Sequence, residues 1–193
     1  MRALLGSLIF SIICYPATLL AETGTPVCEQ AGVTVLTDFQ GGHINGCEFA
    51  PDGWLTISVA PENEPINSSP WYAFRLLADA TTDVAIVLDY GTYKHRYTPD
   101  FSIDGVNWQT YPAAKLDLNK EQSRAGFSLT VPQGKSVVIA AQPLLTSSHY
   151  ETWLESLKAQ HGLTVASAGP SVEGRPLWRA TTPTKKHTLL LLG

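Results

Sequence analysis

Five histidines, the residues best suited to hold a metal or move a proton near neutral pH, are spread through the chain. His43, His95, His149, His161 and His187 stand singly, none is followed three positions later by glutamate, and no two share a ligand-pair spacing. His149-Tyr150-Glu151 has the His-x-Glu of zinc deaminases without their Pro-Cys-x-x-Cys. Gly134-Lys135-Ser136 ends like a phosphate-binding loop, but Leu129 stands where that loop needs its first glycine. Arg175 has a guanidinium able to clamp a carboxylate, and the Ser148 hydroxyl is better explained as a helix cap. These residues assemble no complete catalytic constellation. No catalytic residue and no metal ligand is assigned to this chain.

Stacking is the other chemistry on offer. In 66–78, INSSPWYAFRLLA, Asn67, Ser68 and Ser69 supply turn chemistry and Pro70 pushes Ser69 to extended geometry. Beyond it Trp71, Ala73 and Arg75 alternate with Tyr72, Phe74 and Leu76, and neither set is plainly polar. That pattern reads as a strand covered on both faces, or a central strand of a sandwich whose outer face meets something else, around which the rest of the chain is organised. Trp71 and Tyr72 are its candidate ligand-facing aromatics. Trp108, in FSIDGVNWQTY, is a third. With Tyr90, Tyr93, Tyr97 and Tyr111 it could build a sugar-stacking platform, although aromatics in a sandwich more often fill the core.

Composition bounds the class. The chain has 193 residues, 44% of them hydrophobic, and a net charge of −4, which lacks the basic excess that nucleic acid demands. Residues 1–21 read as a signal peptide, with Arg2 as its positive start, an apolar stretch over 3–14, a break at Pro16 and a small residue, Ala21, before the cut. That apolar stretch is shorter than the roughly 20 residues of a membrane span. The mature chain is therefore expected to be exported, periplasmic or extracellular, with no membrane span after cleavage. Cleavage removes Cys14 and leaves Cys28 and Cys47. In an oxidising compartment that pair reads as a disulfide, with two free buried thiols, or a metal site for which His43 is the nearby candidate ligand, as the alternatives.

The elements that must position these residues are short strands. Residues 33–39 alternate, GGHING interrupts, and 54–60 alternate again before the proline-rich PENEPINSSP. Further strands are expected over 84–90, 94–103 and 106–111, the last two joined at Asp104-Gly105 as a hairpin, then over 125–131 and 136–141. At Pro143 the period changes: Tyr150, Trp153, Leu154 and Leu157 mark an amphipathic helix, capped by Ser148 and Glu151 and stopped by Gly162. Strands at 163–168 and 177–180 follow, then HTLLLLG, an apolar run of the kind buried in an α/β sheet. The expected fold is mainly β: an antiparallel sandwich or jelly roll over 22–142, then at 143–193 the incomplete start of an α/β domain.

Four segments, in order along the chain, carry a family resemblance. The Ser-Pro-Trp-Tyr-Ala-Phe strand after Ile66-Asn67 resembles the β-rich N-terminal domain of bacterial zinc carboxypeptidases of the cytosolic-carboxypeptidase type, in the carboxypeptidase A superfamily. AAQPLLTSSHYETWLESL resembles the segment joining that domain to the peptidase domain. GPSVEGRPLWRAT resembles the family's Gly-x-Ser-x-x-Gly-Arg-Pro strand, and KHTLLLLG the buried strand that delivers the zinc loop. Leu144-Leu145 departs from the aromatic that many relatives carry after the proline, a difference of subfamily. The resemblance implies a parent enzyme that hydrolyses C-terminal peptide bonds, with peptide or protein C-termini as partners. It implies one zinc, bound by His, Glu and a distant His, with a His-x-x-Glu motif just past the buried strand. Those ligands would lie beyond Gly193, so the chain as given is expected to be an inactive N-terminal fragment that binds no zinc. The alternative is a free-standing secreted sandwich module of carbohydrate-binding or discoidin-like type.

Overall fold

The computed structural model describes residues 25, 27–63 and 66–182; the expected signal peptide and the HTLLLLG run lie outside them. In chain order the strands are β1 (Cys28–Gln30), β2 (Val33–Leu36), β3 (Gly46–Phe49), β4 (Leu55–Ser58), β5 (Pro61–Asn63), β6 (Asn67–Pro70), β7 (Ala73–Ala78), β8 (Thr82–Asp89), β9 (Asp100–Ser102), β10 (Gln109–Thr110), β11 (Asp117–Leu118), β12 (Arg124–Val131) and β13 (Ser136–Ala140). Helix α1 (Ser147–His161) and the hairpin of β14 (Thr164–Pro170) and β15 (Pro176–Thr181) follow.

Two sheets share one core. A six-stranded sheet runs β1-β2-β7-β13-β9-β10 and a five-stranded sheet runs β11-β12-β8-β4-β3. Period-two alternation aims Val33 and Val35, Phe74 and Leu76, and Val137 and Ile139 inward from the first sheet. Leu55 and Ile57, Ile86 and Leu88, and Ala125 and Phe127 meet them from the second. Burying each large side chain contributes roughly 1.5–3 kcal/mol. The fold is the mainly β sandwich expected, with one difference in pairing: β4 and β8 run parallel, Leu55 opposite Ile86. They are separated in sequence by β7, which crosses to the other sheet, so the chain returns in the same direction.

The strand around which the chain is organised is central, with β2 on one side and β13 on the other. Phe74 and Leu76 face the core, while Ala73, on the opposite face, is also fully buried. The Arg75 guanidinium lies over the Phe39 ring, 4.9 Å from its centroid, so part of the outer face is covered by the 37–43 loop. A disulfide joins Cys28 of β1 to Cys47 of β3. It ties an edge of one sheet to an edge of the other.

Several elements differ from expectation. The turn residues Asn67, Ser68 and Ser69 form β6, paired with β5 in a small ribbon, because the prolines at its ends tolerate the edge of a two-stranded sheet. Residues 94–99 are irregular and β9 is short. The Asp104-Gly105 hairpin is a longer loop: Phe101 pairs with Gln109, and the carboxylate of Asp104 accepts from Val106 N at 2.9 Å and Asn107 N at 2.7 Å. Asp104 thus closes an Asx-type turn rather than a two-residue hairpin. Helix α1 begins at Thr146 as its N-cap, not at Ser148: Thr146 Oγ1 accepts from His149 N, and His149 Nδ1 accepts from Thr146 N, completing a reciprocal box. Gly162, at φ 63°, ends the helix as expected.

Candidate functional site

Where the sandwich meets the helix and hairpin, the structure brings together two residues far apart in sequence, Trp71 and Arg175. They line one cleft of about 350 Å³, with Gln40, Gln142, Thr146 and Ser147 among its other walls. Trp71 sits just before β7, and its indole N–H donates to Gly41 O at 3.4 Å. Gly41 has φ +84° and a side chain there would meet Leu144 at 3.2 Å, so glycine lets the segment that leads into α1 pack close. Gln40 Oε1 accepts from Ser147 N at 3.0 Å, satisfying one of the helix's free amides from the sandwich side. Arg175 comes from the β14–β15 turn, where its backbone N–H donates to Ser171 Oγ at 3.1 Å and its guanidinium pairs with Glu173. The helix and hairpin are tied in turn by Trp178, whose indole N–H donates to Glu151 Oε1 at 3.2 Å.

The chemistry of this cleft is recognition and packing. It offers an indole, a guanidinium, amides and hydroxyls, and no pair of acid and base groups. The groups with displaced proton affinities lie elsewhere. Burial pushes Tyr72 well above its ordinary value and raises Tyr90 likewise, while it lowers His95. Tyr90 Oη and His95 Nδ1 are 3.2 Å apart and the Tyr72 hydroxyl donates to Tyr97 O at 3.4 Å, so these groups satisfy one another inside the sandwich. The Asn107 side-chain amide, joined by the backbone N–H groups of Asn107 and Val106, holds the Asp104 carboxyl far below the usual range.

The aromatic candidates part company. Trp71 reaches the cleft, but Tyr72 is fully buried in the core, on the same side as Phe74, two positions on in β7. Tyr72 is therefore not ligand-facing. Trp108 is half-buried and folds back on its own loop, its indole N–H donating to Gly105 O at 3.3 Å. The proposed platform does not form: Tyr90 belongs to the core, and Tyr93, Tyr97 and Tyr111 pack against it.

The histidines stay apart. His43 Nδ1 is 3.9 Å from Glu62 Oε1, His95 is with Tyr90, His149 caps the helix and His161 is exposed near its end. His187 lies outside the described residues. Among the described residues no group of three or more His, Cys, Asp or Glu could hold a metal ion, so they do not fit a zinc centre. No helix among them is long and apolar enough to cross a membrane.

No protein-family model matches the sequence, and no curated protein does either. Among solved structures, the chain is similar to a metallo-carboxypeptidase from Burkholderia cenocepacia, with a TM-score of 0.58 and 19% identity over 80% of this chain. It is also similar to a metallo-carboxypeptidase from Pseudomonas aeruginosa solved with (2-guanidinoethylmercapto)succinic acid, with a TM-score of 0.50 and 18% identity over 75% of this chain. The chain spans 40% of the first of these and 38% of the second. At such identities the likeness establishes a shared fold.

Proposed function

We propose that this chain is the N-terminal part of an exported zinc metallocarboxypeptidase of the cytosolic-carboxypeptidase type, whose parent removes residues from peptide or protein C-termini. The observation that carries the reading is the shared fold, which extends over 80% of this chain but only 40% of the Burkholderia cenocepacia protein. In this reading residues 22–142 form the sandwich domain and residues 143–193 open the peptidase domain. The Trp71–Arg175 cleft is then a seam that fixes one against the other, with Gln40 and Leu144 as its pins. Zinc, bound by residues past Gly193, would supply the activated water in the parent; the present chain contributes the scaffold. Export fits the Arg2-led apolar start and the Cys28–Cys47 pair.

The coding sequence after the Gly193 codon, followed by an activity assay, tests this. The reading expects the frame to run on through a His-x-x-Glu motif, and the continued protein to release C-terminal amino acids from a test peptide in a chelator-sensitive way. A stop codon directly after Gly193, with no such frame beyond it, would refute the reading.

A further inference from the structure

The outer face of the five-stranded sheet holds a second cleft, of about 330 Å³, at the lower end of small-molecule sites. Its base is a row of register partners crossing four strands: Thr56 of β4 opposite Val87 of β8, Val87 opposite Gly126 of β12, and Gly126 opposite Asp117 of β11. All four point away from the core, because their neighbours Leu55, Ile86 and Ala125 point into it. Trp54 and Arg124 complete the walls.

Gly126 is the unexpected member. A glycine in a strand interior weakens it relative to alanine, and it often marks close approach of a ligand. Its backbone does not require glycine, since its φ lies outside the left-handed region. Its neighbours do not require it either: an added Cβ would stand 3.5 Å from both Trp54 Cζ3 and Asp117 Cβ, in ordinary contact. What the glycine leaves is a depression beside an indole.

The polar groups around that depression are held in place. Asp52 Oδ1 accepts from Trp54 N at 3.2 Å, fixing the loop that carries the indole. The Asn119 side chain accepts from Arg124 N at 2.9 Å and donates to Ser123 Oγ at 3.1 Å. Arg124 Nε is 3.4 Å from Asp89 Oδ2. The Asp117 carboxylate makes no hydrogen bond among the described residues. A ligand here meets an aromatic surface together with acceptors and donors of both charge signs. A cation would face Arg124, an anion would face Asp52 and Asp117, and an apolar ligand would strand the polar rim. A neutral ring with an apolar face and a belt of hydroxyls suits all of them.

We propose that this row is a glycan-binding site taking a neutral pyranose unit, stacked beside Trp54 over Gly126, with hydroxyls bonded to Asp117 and Arg124. The proposal does not rest on the carboxypeptidase reading. The full chain, labelled with ¹⁵N, is titrated with cellotetraose, laminaritetraose and chitotetraose, and with N-acetylarginine amide as the cationic probe. At least one saccharide is expected to give saturable shifts centred on Trp54, Thr56, Val87, Asp117 and Gly126. Gly126→Ala should weaken that binding at least fivefold while the melting temperature holds or rises, and Trp54→Ala should abolish saturation. No saturation with any of the three saccharides overturns the proposal. So does saturation at this row by the cationic probe alone, or saccharide binding that both variants leave intact.

Discussion

Tyr72 and Tyr90 put polar atoms inside the sandwich, with the half-buried His95 beside them, and their partners explain why that is tolerated. Tyr90 Oη and His95 Nδ1 are 3.2 Å apart, and the two rings meet edge to face at 5.6 Å. Burial lowers the His95 pKa from its ordinary 6.5, so the folded protein takes up the proton less readily than the unfolded chain. Stability is therefore full above about pH 6.5 and falls as the pH drops through and below that value. Thermal unfolding followed from pH 8 to pH 5 should show this decline, and His95→Gln should flatten the part of it due to this residue. A decline of the same size in His95→Gln would show that other groups cause it. Residue chemistry was legible in the sequence where local spacing decides it, as with Gly162, which ends the helix. It was not legible where a neighbour distant in the chain decides it. Trp71 and Tyr72 are adjacent letters, yet one lies in a cleft and the other in the core. Nothing near Trp71 in the sequence announces Arg175, and the importance of Gly126 emerges when β8 and β11 lie beside it.

Among the elements, the strands with clean alternation were readable: 84–90 became β8 and 125–131 became β12, with shifts at their ends. Elements governed by side-chain hydrogen bonds were misplaced. Three adjacent residues, Thr146, Ser147 and Ser148, could all cap a helix, and Thr146 prevails because His149 answers it and Gln40 engages Ser147. Asp104 similarly gathers its own loop instead of closing a two-residue hairpin. The parallel pairing of β4 with β8 depends on an excursion through the other sheet and has no local signal. The bond between Cys28 and Cys47 links short edge strands across 19 positions, and a closed loop of that length contributes on the order of 3 kcal/mol. The double variant Cys28→Ala, Cys47→Ala should lose about that much in urea unfolding. A loss below about 0.5 kcal/mol would mean that the sandwich closes its edges without the bond.

At the scale of the whole molecule, the sandwich buries a continuous core between two sheets, whereas α1 and the hairpin bury little. Leu154 is enclosed, but Tyr150 and Trp153 on the same helix remain 47% and 53% exposed, and β15 is exposed throughout. A chain of residues 22–142 should therefore unfold cooperatively by itself, and limited proteolysis of the full chain should cut after residue 143 first. Protection of residues 147–182 while the sandwich is degraded would place the division elsewhere.

The exposed helix and hairpin lead to the central claim, that these elements open a peptidase domain whose zinc ligands come later. Zinc stoichiometry tests it most directly, measured by mass spectrometry on the 193-residue chain and on the same chain continued along its reading frame, both dialysed against metal-free buffer. The account expects less than about 0.1 zinc per molecule in the first and about one in the second, because a catalytic site needs three converging side-chain ligands. Stoichiometric zinc in the 193-residue chain, or none in the continued one, would contradict it.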